Sequence, residues 1–374
     1  MRGLPNVTVC GCGNAGMAIA ADVALMGCTV NLYELPDFEK NLDPVRQRGG
    51  IVLTGTTCSG KNGFARMEKI TSDAESAVED AELIMITVPA FGHEAFFEAL
   101  LPHLKEGQMI LFNTGYWASL RIKELLKKKG LTSMLDIIIL VEEHIMPYLS
   151  RVIEPAYAHI FNYKRDIRIS AWPATKNEAA FNLVKKVYPQ MSLSKNVIEN
   201  NFYPGNPSVH AQITIPKAEF FFEKAKEFRF YGEVSQCASK LTDAFDRERI
   251  KVAAALDCDV THSFEWFRNT YLYEGKDIYE IFGNVTCEHA RRWSTEAGNR
   301  RVLHEDICYF LIPMEQIATV LKIDVPVTRA IIEIVHVFTD FDYRSHGITL
   351  KDLGMDGLTT REQMLEYVIG GVAP

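Results

Sequence analysis

The chain has 374 residues, of which 47% are hydrophobic and 24% charged, and its formal net charge is −8. This length favours two domains over one, and the acidic balance argues against a broad nucleic-acid-binding surface. No apolar run approaches the ~20 residues that cross a bilayer, and the N-terminal residues lack the apolar core of a secretory signal. We therefore expect a cytoplasmic protein with no membrane contact.

Eight cysteines are scattered along the chain without a CxxC pair or a zinc-type Cys/His spacing. In a chain of this size such cysteines are expected to be reduced, mostly buried thiols. The sequence therefore predicts no metal site. It leaves the oligomeric state open, with a homodimer as one alternative.

The first predicted elements form a strand–loop–helix unit. A strand at 7–10 is followed by GCGNAG at 11–16, an alanine-rich helix to about residue 26, and a second strand at 29–33 that ends at Glu34. A GxGxxG loop between a strand and a helix, with an acidic residue closing the next strand, is typical of dinucleotide binding.

Each position of this unit has a predicted role. Gly11 permits the tight turn, Gly13 allows the pyrophosphate to approach the backbone, and Gly16 lets the helix pack against the strand. Asn14 and Ala15 open the helix, whose free N–H groups attract phosphate. Glu34 is placed to accept hydrogen bonds from the ribose hydroxyls and to repel a 2′-phosphate. The predicted cofactor is therefore NAD, with NADP as the alternative.

Further strands alternate with helices up to about residue 188. We predict a short hairpin insertion at 51–53 and 65–70, a buried strand within AELIMITVPA followed by a helix at 93–104, and a strand within QMILFNTG. Ligands bind at the carboxyl ends of parallel strands. Pro89, Ala90 and Gly115 follow such ends and are predicted to lie near the cofactor.

The last part of the N-terminal half contains three predicted elements. LDIIILVEEHIMPYLSR contains a strand ending at Glu142-Glu143, AHIFNYKRDIRISAWPA reads as a strand pair, and residues 176–188 form a closing helix. The predicted class is α/β, with a doubly wound Rossmann sheet in a dinucleotide-binding domain at 1–198.

From about residue 200 the spacing of apolar residues becomes helical. We predict helices at 216–228, 240–257, 305–322 and 327–341, and an all-helical substrate-binding and catalytic domain at 199–374. The charge run at 246–249 indicates either an exposed face or an internal ion pair. The aromatic cluster at 264–273 favours core packing over a pocket wall.

The segment NPSVHAQ carries a candidate proton-handling group. Asn206 is a good helix N-cap and Pro207 suits the first helical position, so His210 is predicted at the end of a first turn. Asp306, in RRVLHEDI, is a candidate partner, and Arg301 could bind a carboxylate. A structural histidine is the alternative for His210, and Arg300 is the alternative to Arg301.

These motifs together resemble the opine dehydrogenase family. The resemblance runs almost end to end and is most specific in NPSVH and in an arginine five residues before an aspartate. It implies an NAD(P)H-dependent reductive condensation of a 2-oxo acid, such as pyruvate, with an amino acid. It also implies that His210 is the general acid/base, that Asp306 orients it, that Arg301 binds a substrate carboxylate, and that Glu143 lies near the amino substrate.

Two other functions stay open. One is a 2-oxo acid or 3-hydroxyacid dehydrogenase of a related Rossmann-plus-helical group, in which Lys217 would be the candidate catalytic lysine. The other is an NAD-binding sensor without chemistry.

Overall fold

The strands at the centre of the main sheet are short and buried along their whole length, as expected of a parallel sheet whose two faces are covered. The computed structural model describes residues 3–223, 230–284 and 300–371. Its Cα positions divide the chain into two compact units, Met1–Val197 and Ile198–Pro374. The predicted functional domains, 1–198 and 199–374, stay a proposal.

The described residues of the first unit form twelve strands. They are β1 (Val7–Cys10), β2 (Val30–Tyr33), β3 (Gly50–Gly55), β4 (Gly63–Arg66), β5 (Lys69–Thr71), β6 (Leu83–Ile86), β7 (Met109–Asn113), β8 (Ile139–Glu143), β9 (Tyr148–Glu154), β10 (Tyr157–Tyr163), β11 (Ile167–Trp172) and β12 (Met191–Leu193).

The main sheet has the strand order β12-β11-β8-β7-β6-β1-β2-β5. The six strands β8, β7, β6, β1, β2 and β5 are parallel to one another, whereas β11 runs antiparallel to β8. This is the Rossmann order, in which the direction of chain progression reverses at the first strand. The crevice between the carboxyl ends of β1 and β6 is therefore the place where such a sheet binds its ligand.

A second sheet with the order β4-β3-β10-β9 lies beside the first helix, Asn14–Met26. The Tyr148 hydroxyl of β9 donates to the buried Asp22 carboxylate of that helix at 2.6 Å. Asp22 also accepts the backbone N–H of Cys58 at 2.9 Å. The second sheet is thus attached to the helix that opens at the glycine loop.

The remaining helical segments of the first unit are short. The α-helices are Asp43–Arg48, Ala74–Val78, His93–Leu100, Ala118–Lys128, Met134–Ile137 and Asn177–Val184, and the 3-10 turns are Pro36–Leu42, Ala90–Gly92, Leu101–His103 and Ala174–Lys176.

The described part of the second unit contains helices and no strand. The helix Val197–Phe202 begins one residue before this unit and continues into it. The others are His210–Thr214, Ala218–Phe222, Gln236–Ala255, Ser263–Tyr271, Ile278–Gly283, Arg300–Asp306, Ile312–Val320, Pro326–Thr339, Tyr343–His346 and Arg361–Gly370, with 3-10 turns at Asn206–Ser208 and Ile215–Lys217 and a π-helical stretch at Ile307–Leu311. The α/β class, with a Rossmann sheet followed by a helical part, is confirmed.

None of the helices described here is long and apolar enough to cross a membrane. In the aromatic cluster, Trp266 and Phe267 are buried, which agrees with core packing.

Two predicted strand arrangements are wrong. The segment 65–70 is not one hairpin strand, because β4 pairs with β3 whereas β5 pairs with β2 in the main sheet. The strands β10 and β11 are not paired, since β10 lies between β3 and β9 and β11 lies between β8 and β12. Alternation of apolar residues identifies strands but does not identify their partners.

Helix boundaries also differ from the predictions. The helix predicted at 93–104 ends at Leu100, and a 3-10 turn containing Pro102 follows, because proline supplies no backbone N–H. The closing helix ends at Val184, and β12 follows it, a strand that was not predicted. Of the helix predicted at 216–228, residues 224–228 lie outside the described residues.

Candidate active site

The glycine loop after β1 has a shape that suits a dinucleotide. Gly11 has φ +102° and its N–H donates to the Tyr33 carbonyl at 2.9 Å. A Cβ at Gly16 would lie 1.8 Å from the Gly11 carbonyl oxygen, whereas a Cβ at Gly13 would meet no heavy atom within 4 Å. Among the described residues no side chain caps the helix that follows. The loop therefore packs tightly at Gly16 and leaves space at Gly13 beside a helix N-terminus, where a pyrophosphate would bind.

We expect Gly16→Ala and Gly13→Ala to separate packing from cofactor binding. The Gly16 variant should lower the free energy of unfolding by about 1–3 kcal/mol, because its methyl group forces the helix away from β1, and should also weaken NADH binding. The Gly13 variant should have a free energy of unfolding within about 0.5 kcal/mol of the wild-type value, because its methyl group meets no atom of the protein. It should nevertheless bind NADH poorly, because the methyl group occupies the space in which the pyrophosphate would bind. Urea unfolding and NADH titration measure the two effects, and normal NADH affinity in both variants would contradict the assignment.

Glu34 lies at the end of β2 against this loop. The backbone N–H of Cys12 donates to its Oε2 at 2.9 Å and that of Leu35 to its Oε1 at 3.1 Å. The carboxylate is therefore fixed at Cys12 in the glycine loop, and a carboxylate oxygen that accepts one hydrogen bond has a second lone pair for a hydroxyl donor. Its role as the ribose ligand stays a prediction.

The turn that contains Pro89 and Ala90 follows β6, next to β1, and two buried side chains hold it. Arg121 Nη2 donates to the Ala90 carbonyl at 3.1 Å and to His93 Nδ1 at 3.0 Å. His93 Nε2 lies 3.1 Å from the Val88 carbonyl. Burial, together with the adjacent guanidinium, holds the pKa of His93 well below its usual value. A guanidinium can only donate, so Nδ1 accepts from Arg121 and Nε2–H donates to the Val88 carbonyl.

Gly115 follows β7 and packs against a buried glutamate of β8. Its N–H donates to the Glu143 carbonyl at 2.7 Å, and a Cβ there would lie 2.5 Å from Glu142 Oε2. Glu142 also accepts the backbone N–H groups of Trp117 and Ser119 at 3.1 and 2.9 Å. Glu142 therefore satisfies the start of the helix Ala118–Lys128. Whether Gly115 also meets the cofactor stays a prediction.

Glu143, the last residue of β8, is fully buried. Asn113 Nδ2 donates to its Oε2. Burial raises the pKa of Glu143 well above its usual value, and the positive charge of Lys164 partly opposes this effect. Burial also lowers the pKa of Lys164 to about 8. Contact between Glu143 and an amino substrate stays a prediction.

The structure brings His210 and Asp306 together. His210 Nδ1 lies 2.8 Å from Asp306 Oδ2, and the two residues are 3% and 1% exposed. Asp306 ends the helix Arg300–Asp306 and immediately precedes the π-helical stretch Ile307–Leu311. Such π-helical segments are frequent at functional sites. An aspartate that accepts Nδ1–H fixes the tautomer and leaves Nε2 for proton exchange.

The predicted start of the His210 helix is wrong. Residues Asn206–Ser208 form a 3-10 turn without a side-chain cap, and the α-helix runs from His210 to Thr214. His210 is therefore the first residue of a five-residue helix. Proline suits the first turn of a 3-10 segment as well as that of an α-helix, so the local pattern did not separate the two.

Sequence reasoning missed Tyr231. Its hydroxyl lies 2.8 Å from His210 Nε2. The residue belongs to no motif and lies 21 positions from His210, so no local signal identified it.

The two arginines lie in the first turn of the helix that ends at Asp306. Arg301 is exposed, and its position is about 140° around the helix axis from Asp306. The Arg300 guanidinium lies 5.6 Å from the centre of the Phe222 ring. Carboxylate binding by Arg301, and the choice between the two arginines, stay predictions.

Comparisons with known proteins agree with this architecture. Residues 193–339 match the family model for the alpha-helical domain of NAD/NADP octopine/nopaline dehydrogenase. An opine dehydrogenase from Arthrobacter sp. (strain 1C) is 28% identical, over 94% of this chain and 95% of that protein. Vitopine synthase from Allorhizobium ampelinum is 23% identical, over 99% and 97%. An octopine dehydrogenase solved with NADH and L-arginine has a TM-score of 0.76 at 19% identity, covering 98% of both chains.

The strand order and the glycine loop are those of dinucleotide-dependent dehydrogenases, so the protein is an oxidoreductase that uses NAD or NADP. The family model matches residues 193–339 and an opine dehydrogenase aligns along nearly the whole chain, so the chain is similar to the opine dehydrogenase family. The reaction of this family is the NAD(P)H-dependent reductive condensation of a 2-oxo acid with the amino group of an amino acid.

Proposed function

We propose that this chain carries out that condensation with His210 as its general acid/base, Asp306 as the orienting partner and pyruvate as a 2-oxo acid substrate. The observation that supports the proposal is the buried hydrogen bond of 2.8 Å between His210 Nδ1 and Asp306 Oδ2. A lone structural histidine does not require a buried carboxylate, whereas a proton-exchanging imidazole is stabilised by one.

The condensation needs proton transfer at two points. The attacking amine loses a proton as it adds to the oxo group, and the resulting hydroxyl gains a proton as it leaves as water. A histidine whose Nδ1 is held by a carboxylate can accept the first proton and donate the second through Nε2. Arg301 is proposed to bind a substrate carboxylate, and Glu143 is proposed to lie near the amine.

The bound dinucleotide supplies the hydride that reduces the imine. Gly11, Gly13 and Gly16 would hold its pyrophosphate at the start of the helix Asn14–Met26, where the open space at Gly13 fits it. Pro89 and Ala90, fixed by Arg121, would line the same crevice. Glu34 would accept from the ribose hydroxyls, so NAD is the proposed cofactor.

We expect Glu34→Ala to reduce the preference for NADH over NADPH by about tenfold, equivalent to about 1.4 kcal/mol, since the carboxylate no longer repels a 2′-phosphate. The ratio of kcat/KM for the two cofactors measures the change. Asp37→Ala removes an exposed acidic side chain a few residues further on and serves as the control. An unchanged ratio in the Glu34 variant would show that another group selects the cofactor.

The function is tested by following NADH oxidation with pyruvate alone and then with pyruvate plus each common amino acid. Turnover that requires both substrates supports the condensation. Turnover with pyruvate alone indicates an oxo acid dehydrogenase, for which Lys217, in the turn Ile215–Lys217, is the residue to substitute. Tight NADH binding without turnover on any substrate indicates a sensor.

We also propose a cytoplasmic location. None of the seven cysteines within the described residues forms a disulfide, which suits a reducing compartment.

A further inference from the structure

We propose that Tyr231 is the terminal member of a relay Asp306–His210–Tyr231, and that its hydroxyl exchanges the proton with the substrate. This inference rests on the proposed function, because it concerns the acid/base step of that reaction. In this relay the Tyr231 hydroxyl exchanges the proton directly with the substrate. The His210 imidazole supplies that proton to Tyr231 and receives it back.

The hydrogen bonds of the imidazole carry the first step of the argument. Asp306 occupies Nδ1 at 2.8 Å, so Nε2 is the ring nitrogen left for proton exchange. Nε2 in turn lies 2.8 Å from the Tyr231 hydroxyl. His210 is only 3% exposed, whereas Tyr231 is partly exposed. A proton that leaves Nε2 therefore meets the phenol oxygen first.

Aromatic packing holds the Tyr231 hydroxyl in this position. Its ring stacks on Phe282 with centroids 5.2 Å apart and an interplanar angle of 18°. Phe230 meets Tyr231 edge-on at 5.0 Å and also packs against His210 at 5.6 Å. Such contacts restrict the ring through its faces and edge, and a phenol hydroxyl can both donate and accept a proton. The aromatic contacts thus fix the orientation of the Tyr231 ring and keep its hydroxyl in position for proton transfer.

The relay balances for the dehydration step. The carbinolamine formed from the oxo acid and the amine carries a hydroxyl group that must leave as water. Tyr231 donates its O–H proton to that hydroxyl, the C–O bond breaks, and the nitrogen lone pair forms the iminium bond. His210 Nε2–H simultaneously returns a proton to the phenol oxygen, so the imidazolium becomes neutral imidazole and Tyr231 ends unchanged. The proton lost by the amine during addition travels the same path in reverse.

The test is Tyr231→Phe, which removes the hydroxyl and keeps the stacked ring. We expect kcat to fall by about 10- to 100-fold, part of the usual contribution of general acid–base catalysis. KM for NADH, pyruvate and the amine should stay within about twofold, and the thermal midpoint should stay unchanged. Tyr279→Phe, at an exposed tyrosine of the helix Ile278–Gly283, is the matched control and should behave as wild type.

The outcomes separate the alternatives. An unchanged kcat overturns the relay, and a raised kcat overturns it in favour of a hydroxyl that merely blocks Nε2. A fall in kcat accompanied by raised KM values and a lowered thermal midpoint shows a structural role and also overturns it. Wild-type turnover with both substrates is measured first, and its absence overturns the proposed function, and the relay with it.

Discussion

His210→Ala is expected to lower kcat by about 10²–10⁴-fold while NADH affinity stays nearly unchanged. The loss follows from the two proton transfers of the condensation, for which His210 is proposed to supply and receive the proton. NADH affinity should persist, because the predicted cofactor residues lie in the first unit, Met1–Val197, and His210 lies in the second. Steady-state kinetics with saturating substrates and a separate NADH titration measure the two quantities.

A matched control and a second variant sharpen this test. His346→Ala removes an exposed histidine of the helix Tyr343–His346 and should keep wild-type kcat. Asp306→Asn should change kcat in the same direction as His210→Ala, because the amide cannot stabilise an imidazolium as a carboxylate does. Near wild-type turnover of the His210 variant would rule out this histidine as the acid/base.

Asp246→Asn is expected to lower the free energy of unfolding by about 3–5 kcal/mol, the usual effect of removing one partner of a buried ion pair. Asp246 and Arg249 are each 1% exposed, and Arg249 Nε donates to Asp246 Oδ1 at 2.7 Å. The substitution leaves the guanidinium charge buried without its counter-charge. Asp246 Oδ2 also accepts the backbone N–H of Ser263 at 2.5 Å, at the start of the helix Ser263–Tyr271, so the substitution should also weaken the start of that helix.

The effect of Asp246 should depend on pH. Burial alone would raise its pKa, but Arg249, the nearby His262 and hydrogen bonds from Ser263 outweigh burial and lower the pKa below the ordinary value of 3.8. A carboxylate with a lowered pKa stabilises the folded state above its unfolded pKa and loses that contribution as the pH falls through the folded value. The difference between wild type and Asp246→Asn should therefore be full at neutral pH and shrink below about pH 3.8.

Urea unfolding at neutral and acidic pH measures this difference. Asp243→Asn is the matched control, since Asp243 pairs with Arg247 on the same helix but their side chains are 45% and 74% exposed. Exposed pairs contribute little, so the control should change the free energy of unfolding by less than about 1 kcal/mol. A pH-independent difference, or equal effects in both variants, would contradict the assignment.

The charge run at 246–249 shows where sequence reasoning stopped. The run of four charged residues was compatible with an exposed helix face or with an internal ion pair, and the structure contains both. Arg247 is exposed, whereas Asp246 and Arg249 form the buried pair. Glu248 is mostly buried and accepts the backbone N–H groups of Val327 and Thr328, each at 2.8 Å, at the start of another helix. Four adjacent charges differ because helical geometry points them in different directions.

The shape of the glycine loop after β1 could be predicted from the sequence alone. The roles of Gly11, Gly13 and Gly16 depend on conformations and close approaches within one strand–loop–helix unit, so neighbouring residues carry the whole signal. The alternation of strands and helices, and the later change to helical spacing, are local in the same sense and indicated the fold class.

Contacts between residues that are distant in the sequence could not be predicted in this way. The pairing of β5 with β2, the Glu142 carboxylate at the start of the helix Ala118–Lys128, and the Tyr231 hydroxyl at His210 Nε2 all join residues far apart in the sequence. Such contacts are selected by the burial of whole sheet and helix faces, to which each residue contributes only a small part of the free energy. A local sequence pattern indicates which interactions a side chain can make. The packing of the complete chain determines the partner with which the side chain makes them.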